Sequence, residues 1–137
     1  MKTFEKNFLS YPKDFQNWYL KKKEIHENNK IPYFYEREIW WCAIGLNVGF
    51  EQDGKNFNFE RPIVVLKKFN EYILWAIPLT SKQKVGKYYY AFNFRNTSNI
   101  AILSQLRLIS SKRLLRKIGT IPERDFLEIK NIIKNLL

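Results

Sequence analysis

The sequence predicts a small, mainly β domain of the α+β class, built as a strongly bent sheet or partly open barrel with a helix at each end. Between residues 36 and 109, five or six short runs of β-branched, aromatic and other apolar residues are separated by polar turns. On either side of this region, apolar residues recur every three or four positions, which is typical of helices. At 137 residues the chain is long enough for one core.

The first segment, residues 1–35, is expected to be a helical extension of the main domain. Ser10 is a suitable N-cap, Pro12 fits the first helical turn, and Phe15 and Trp18 share one face. We expect that face to pack on the core of the protein.

The second segment, residues 36–137, carries the strand patterns. Residues 39–44 are apolar at every position, which predicts a strand covered on both faces. A polar pair, Ser104 and Gln105, interrupts the last predicted strand region and indicates either a bulge or a site. The later strands are predicted at residues 62–69, 72–79, 88–94, 100–103 and 106–109.

The last segment predicts an amphipathic helix. Thr120 and Glu123 have the spacing of a capping box, and Pro122 is tolerated in a first turn. The residues that follow form one apolar face, which we expect to close one side of the sheet. That face comprises Phe126, Ile129, Ile132, Ile133, Leu136 and Leu137.

The charge of the chain favours a polyanionic partner. Lys and Arg number 24 and Asp and Glu 13, which gives a net charge of +11. No apolar run approaches the roughly 20 residues that a membrane span needs, so we expect a cytosolic protein without a membrane partner. The single cysteine, Cys42, lies in an apolar strand and is expected to be a buried hydrophobe.

Several kinds of chemistry have little support in this sequence. One His and one Cys cannot supply a usual zinc site, and no acidic run has the spacing of a calcium loop. The two glycine-rich spacings that bind nucleotides, G-x-x-x-x-G-K and G-x-G-x-x-G, do not occur in the sequence. We therefore expect no metal site and no cofactor.

A candidate site is predicted where two neighbouring strands begin and end. Arg61 opens one strand and Thr80 closes the next, so an antiparallel hairpin brings both side chains to one rim, beneath the loop of residues 51–60. RNA supplies its own nucleophile, the 2′-OH, so an enzyme need only position it, move protons and stabilise charge. Arg61 suits charge stabilisation, Thr80 can donate to the phosphate, and Glu51 is the candidate base or Arg61 orienter.

A plainer alternative stays open at this point. Arg61 could form a surface salt bridge with Glu60, Glu51 or Asp53, and Thr80 could simply end its strand.

Several segments, in this order, resemble the MazF/PemK family of toxin endoribonucleases from bacterial toxin–antitoxin modules. They are EIWW from residue 38, GFEQDG from 49, RPIVVL from 61, IPLTS from 77 and SQLRLIS from 104. The resemblance covers residues 36–137. Two features depart from the family: the extension of residues 1–35 and a longer link at residues 53–60.

The resemblance implies an SH3-like, CcdB-like β-barrel that forms a homodimer and cleaves single-stranded RNA without metal, leaving a 2′,3′-cyclic phosphate and a 5′-OH. It places Arg61 and Thr80 at the catalytic arginine and threonine of the family. It also implies an acidic antitoxin partner whose flexible tail blocks the RNA groove. The RNA-binding candidates of the matched segments are Gln52, Ser81, Lys82, Ser104, Gln105 and Arg107.

Two other functions remain open from the sequence. The same barrel could bind nucleic acid without cutting it, or the chain could be a toxin of related fold that acts on a protein such as a topoisomerase.

Overall fold

The structure, a computed structural model, describes residues 12–137. In this part of the chain two α-helices flank seven β-strands. The elements are α1 (Phe15–Glu27), β1 (Glu38–Ala43), β2 (Glu60–Lys68), β3 (Ile73–Thr80), β4 (Tyr89–Phe94), β5 (Thr97–Ile102), β6 (Arg107–Ser110), β7 (Leu114–Thr120) and α2 (Glu123–Leu136).

All strand pairs are antiparallel, in the order β4-β5-β3-β2-β1-β7, and β6 also pairs with β3. β3 is the central element of this arrangement. Its first half, Ile73 to Ala76, pairs with β6, whereas Leu79 and Thr80 pair with β5. Because one strand pairs with two partners along the same edge, the sheet curls. The predicted fold, a bent and mainly β domain with a helix at each end, is confirmed.

The curled sheet buries apolar side chains on both faces. One cluster joins Ile39, Val64 and Ile77 to Phe126 and Ile129 of α2, so the last helix closes that side as predicted. A second cluster lies on the opposite face and contains Trp40 and Cys42 of β1 among others. β1 is therefore covered on both faces. Burial raises the pKa of the Cys42 thiol to about 12, so it stays protonated and packs as a hydrophobe.

The sequence patterns did not predict every local feature. β7 was not predicted, because Arg116 and Lys117 interrupt its apolar pattern; their side chains pair with Glu60 and Glu38, two carboxylates that are distant in sequence. Of the two alternatives for the polar pair between β5 and β6, the bulge was wrong, because these residues form a short 3₁₀ turn, Leu103–Gln105. The alternative of a site stays a prediction.

The predicted capping box before the last helix is also wrong. Thr120 is the last residue of β7, and α2 starts after Pro122 with no side chain capping its first turn.

α1 docks on the loop that follows β1. Its N-cap is Asp14, and the predicted cap Ser10 lies outside the described residues. Trp18 is buried as predicted, but Phe15 is 52% exposed, since it lies on the outer face of the helix. A Cβ on Gly45 would come within 2.2 Å of the Trp18 ring, so only glycine allows this approach. Neither this helix nor α2 is long and apolar enough to cross a membrane.

Candidate active site

Arg61 and Thr80 lie side by side on neighbouring strands. β2 and β3 pair with Ile63 opposite Pro78, and continuing that register by two residues places Arg61 opposite Thr80. Both line one surface cavity of about 300 Å³. The convergence predicted from the two strand ends therefore exists in the structure.

The Arg61 guanidinium is held by two backbone carbonyls. Nε donates to the carbonyl oxygen of Asp53 at 2.7 Å, and Nη1 donates to that of Leu79 at 3.1 Å. Within residues 12–137 no carboxylate forms an ion pair with Arg61 and no acceptor binds Nη2, so this edge remains available to an anion. The surface salt bridge considered as the plainer alternative is absent there.

Partial burial makes the Arg61 charge less screened. Loss of solvent lowers the pKa of the guanidinium, while the nearby negative charge of Asp53 opposes that shift. Arginine ordinarily titrates far above neutral pH, so the group remains cationic there. A fixed, poorly hydrated cation is the kind of group that stabilises extra negative charge on a phosphate.

The Thr80 hydroxyl is oriented by the backbone that follows it. Its Oγ1 accepts a hydrogen bond from the Lys82 N–H at 3.2 Å. In the described part of the chain no group accepts the hydroxyl proton, which leaves Thr80 able to donate to a ligand in the cavity. Ser81 and Lys82 are exposed and line the same cavity.

A bidentate ion pair flanks the cavity. Glu60, 7% exposed, accepts from Arg116 Nη1 at 2.9 Å and from Nη2 at 3.1 Å, and the guanidinium lies 5.1 Å from the centre of the Trp41 ring. Glu60 and Trp41 both line the cavity. Both oxygens of this carboxylate are therefore engaged by Arg116, and Glu60 leaves Arg61 free for another anion.

The loop before β2 carries Glu51, which is exposed and lies outside the cavity lining. The described structure contains no ion pair between Glu51 and Arg61, and the carbonyls of Asp53 and Leu79 orient the guanidinium. A role for Glu51 in proton transfer stays a prediction.

Gln105 braces this loop through both ends of its carboxamide. Its Oε1 accepts from the Gln52 N–H at 3.3 Å, and its Nε2 donates to the Phe50 carbonyl at 3.3 Å. These bonds explain physically why a polar residue interrupts the apolar pattern here.

The remaining sequence candidates lie apart from the cavity lining. Ser104 is exposed in the 3₁₀ turn. Arg107 lies near Arg113, whose pKa is lowered first by burial and then by the charge of Arg107. The structure thus separates a cavity group of Arg61, Thr80, Ser81 and Lys82 from a loop group of Glu51, Gln52 and Gln105.

The long link before Arg61 is a tight hairpin that sequence reasoning did not resolve. Lys55 and Glu60 exchange two backbone hydrogen bonds of 2.8 Å. A Cβ on Gly54 would lie 1.7 Å from the Phe59 carbonyl oxygen, so the turn requires glycine. This hairpin supplies Lys55 and Asn56 to the cavity wall. The cavity wall also includes Asn99 of β5, which no sequence pattern distinguished.

Comparison with known proteins identifies a family for most of the chain. A family model described as PemK-like, MazF-like toxin of type II toxin–antitoxin system matches residues 35–137. No curated protein sequence matches the chain significantly.

Solved structures of the same fold include MazF (Form-I) from Deinococcus radiodurans. It has a TM-score of 0.61 and 17% identity, over 79% of this chain and 97% of that one. A chain of MazE–MazF (Form-II) from the same organism has a TM-score of 0.61 and 20% identity, over 77% and 96% of the two chains. The Mycobacterium tuberculosis toxin MazF-mt6 has a TM-score of 0.54 and 15% identity, over 72% and 94%.

At such identities the structural likeness shows a shared fold, while the family model covers most of the chain. This protein belongs to the family of PemK-like, MazF-like toxins of type II toxin–antitoxin systems.

Proposed function

We propose that this toxin is a metal-independent, sequence-specific endoribonuclease that cleaves single-stranded RNA. The observation that supports this function best is the meeting of Arg61 and Thr80 in one cavity, with the outer edge of the guanidinium open. Lys55 and Lys82 on the cavity wall add positive charge that attracts a phosphodiester backbone.

In the proposed reaction the 2′-oxygen of RNA attacks the adjacent phosphorus, the 2′-O–P bond forms and the P–O5′ bond breaks. Arg61 stabilises the added charge of the phosphorane through Nη2, and Thr80 donates a hydrogen bond to the same phosphate. The products are a 2′,3′-cyclic phosphate and a 5′-OH. One proton leaves the 2′-oxygen and one reaches the 5′-oxygen, so no net proton is consumed.

Glu51 is the proposed acceptor of the 2′-OH proton. It is exposed on the loop that Gln105 braces, two residues before Asp53, whose carbonyl holds Arg61. For Glu51 to act, the bound RNA or a closing of the loop has to bring its carboxylate to the 2′-oxygen. Gln52, Ser104, Gln105 and Arg107 are proposed to contact the RNA beyond the scissile phosphate.

The proposed protein partners are a second copy of the chain and an acidic antitoxin. The similar D. radiodurans chain was solved as MazE–MazF, which supports a partner of the same kind here. A net charge of +11 is complementary to an acidic tail that would compete with RNA for the same surface.

Cleavage of RNA in excess EDTA tests this proposal. A mixed-sequence single-stranded transcript should be cut, and an oligonucleotide carrying a 2′-deoxy residue at the mapped site should resist cleavage. Arg61→Ala should slow cutting by about 100-fold or more, because one charge-stabilising donor is lost. The matched control is Arg124→Ala, since Arg124 is exposed on α2 and takes no part in the cavity.

Cutting of the 2′-deoxy oligonucleotide, or full activity of Arg61→Ala, would contradict the proposed chemistry. Salt-sensitive RNA binding without scission would instead identify a binding module. Absence of both binding and scission would favour a protein target.

A further inference from the structure

Lys13 lies in the segment before α1 and outside the part of the chain that the family model matches. Its side chain is only 10% exposed. The ammonium group donates to the carbonyl oxygens of Asn47 and Gly49, the latter at 3.0 Å, and pairs with Asp53 Oδ2 at 3.0 Å. Three acceptors therefore use the three N–H donors of Lys13.

These contacts fix the loop that joins β1 to the hairpin. The Asn47 N–H donates to Asp53 Oδ1 at 2.7 Å, and Asn47 Nδ2 donates to the Gln52 carbonyl at 2.7 Å. Lys13 joins the two ends of this loop, because it binds Asn47 and Gly49 at one end and Asp53 at the other.

Asp53 connects this loop directly to Arg61. Its carboxylate binds Lys13, and its backbone carbonyl accepts the Arg61 Nε–H at 2.7 Å. A movement of Asp53 therefore moves the acceptor that sets the direction of the guanidinium.

We propose that Lys13 is a positioning residue for Arg61, so that the segment preceding the family domain supports the active site. The kinetic part of this inference rests on the proposed ribonuclease function. Lys13 does not line the cavity and acts only through Asp53. Without the ammonium group, a half-buried carboxylate and two carbonyls lose their common donor, and the loop that orients Arg61 loosens.

Lys13 is not needed to attach the helix that follows it. Trp18 is 6% exposed, lies 5.5 Å from the Phe59 ring and stacks under Arg113 at 5.8 Å. At the other end of the helix, Lys112 Nζ donates to the His26 carbonyl at 2.7 Å. Removal of the Lys13 charge should therefore leave α1 docked and affect mainly the loop.

The NMR signal of the Arg61 Nε–H group tests the proposal without any RNA. In the unmodified protein this proton should be protected from exchange, because it donates to Asp53. Lys13→Met should lower that protection by about 10-fold and move the signal toward that of free arginine. Lys23→Met is the matched control, since it removes an equal charge from an exposed position of α1.

Cleavage kinetics provide the second readout. Lys13→Met should lower kcat by about 10-fold to 100-fold, because a small displacement of a catalytic group can slow a reaction by that factor. The same variant should leave KM within about twofold. Asp53→Asn breaks the same ion pair from the other side and keeps an oxygen that accepts from the Asn47 N–H. This variant replaces Lys13→Met in both measurements if Lys13→Met does not fold. In the double variant, which carries Lys13→Met and Asp53→Asn, kcat should fall no further than in the slower of the two single variants.

An unchanged Arg61 Nε–H signal in both variants would overturn the proposal, and so would an unchanged kcat in a protein that cuts RNA. If the unmodified protein cuts no RNA, the proposed function fails, and the Nε–H signal alone decides the positioning role of Lys13.

Discussion

The Arg61 guanidinium is held on one side and open on the other. Backbone carbonyls of Asp53 and Leu79 fix Nε and Nη1, while Nη2 has no acceptor within residues 12–137 and Arg61 lines the cavity that Thr80 also borders. Carbonyl partners orient the guanidinium and leave its charge in place, whereas a carboxylate would neutralise that charge. The residue is thus prepared for an anion before any ligand binds, which is the condition for strong electrostatic stabilisation.

Gln105 offers a prediction at the same scale. Gln105→Ala removes the acceptor of the Gln52 N–H, a bond worth about 1 kcal/mol in net stability. Hydrogen exchange at the Gln52 amide should accordingly become about fivefold faster. The neighbouring Ser104→Ala should leave that amide unchanged, because Ser104 is exposed and does not contact the loop through a described hydrogen bond. An equal rate in the two variants would contradict the bracing role.

At the scale of elements, β7 is held to the sheet by buried charge as well as by backbone pairing. Glu38 of β1 is 7% exposed, and its Oε2 pairs with Lys117 of β7 at 2.8 Å. Its Oε1 accepts from Trp40 Nε1 at 3.0 Å and from the Tyr35 N–H at 2.8 Å. Burial opposes ionisation of Glu38, but the bonds from Lys117, Trp40 and Tyr35 outweigh it and hold its pKa below the ordinary 4.5.

This ion pair predicts an acid dependence of stability. Since the folded pKa is lower than the unfolded one, ionised Glu38 stabilises the fold above about pH 4.5, and this contribution is lost as the pH falls further. Glu38→Gln keeps an acceptor for Trp40 and Tyr35 and loses the pairing with Lys117. Its free energy of unfolding at pH 7 should be lower by about 1–3 kcal/mol, as urea denaturation can measure.

The difference between the two proteins should shrink as the pH is lowered below 4.5, because only the unmodified carboxyl titrates. Glu128→Gln on the exposed side of α2 is the control and should change neither quantity. A difference that stays constant to low pH would show that the charge of Glu38 is not involved.

At the scale of the whole molecule, the sequence predicted what local patterns determine. Strand patterns and the hairpin between β2 and β3 were enough to bring Arg61 and Thr80 together, because antiparallel register follows from the positions of the strand ends. The apolar face of α2 and the two-sided burial of β1 followed from periodicity in the same way.

Contacts between distant segments were beyond such reasoning. Lys13 binds a loop more than 30 residues away. The sequence suggested the Glu51 carboxylate as the group that orients Arg61, whereas the backbone carbonyl of Asp53 does so. Likewise, no sequence pattern indicates that the exposed Arg116 pairs with the buried carboxylate of Glu60. In each case the partner of a charge is set by tertiary packing, which leaves no periodic signal in the chain.

The central claim is that Arg61 and Thr80 act on the same phosphate. Single-turnover cleavage rates of Arg61→Ala, Thr80→Val and the double variant measure it most directly, with Thr80→Ser as the variant that keeps the hydroxyl. If both groups stabilise one transition state, adding Thr80→Val to Arg61→Ala should slow cleavage by a clearly smaller factor than Thr80→Val does in the unmodified protein, and Thr80→Ser should remain active. Rate losses that simply multiply, or a Thr80→Val variant as fast as the unmodified protein, would contradict the claim.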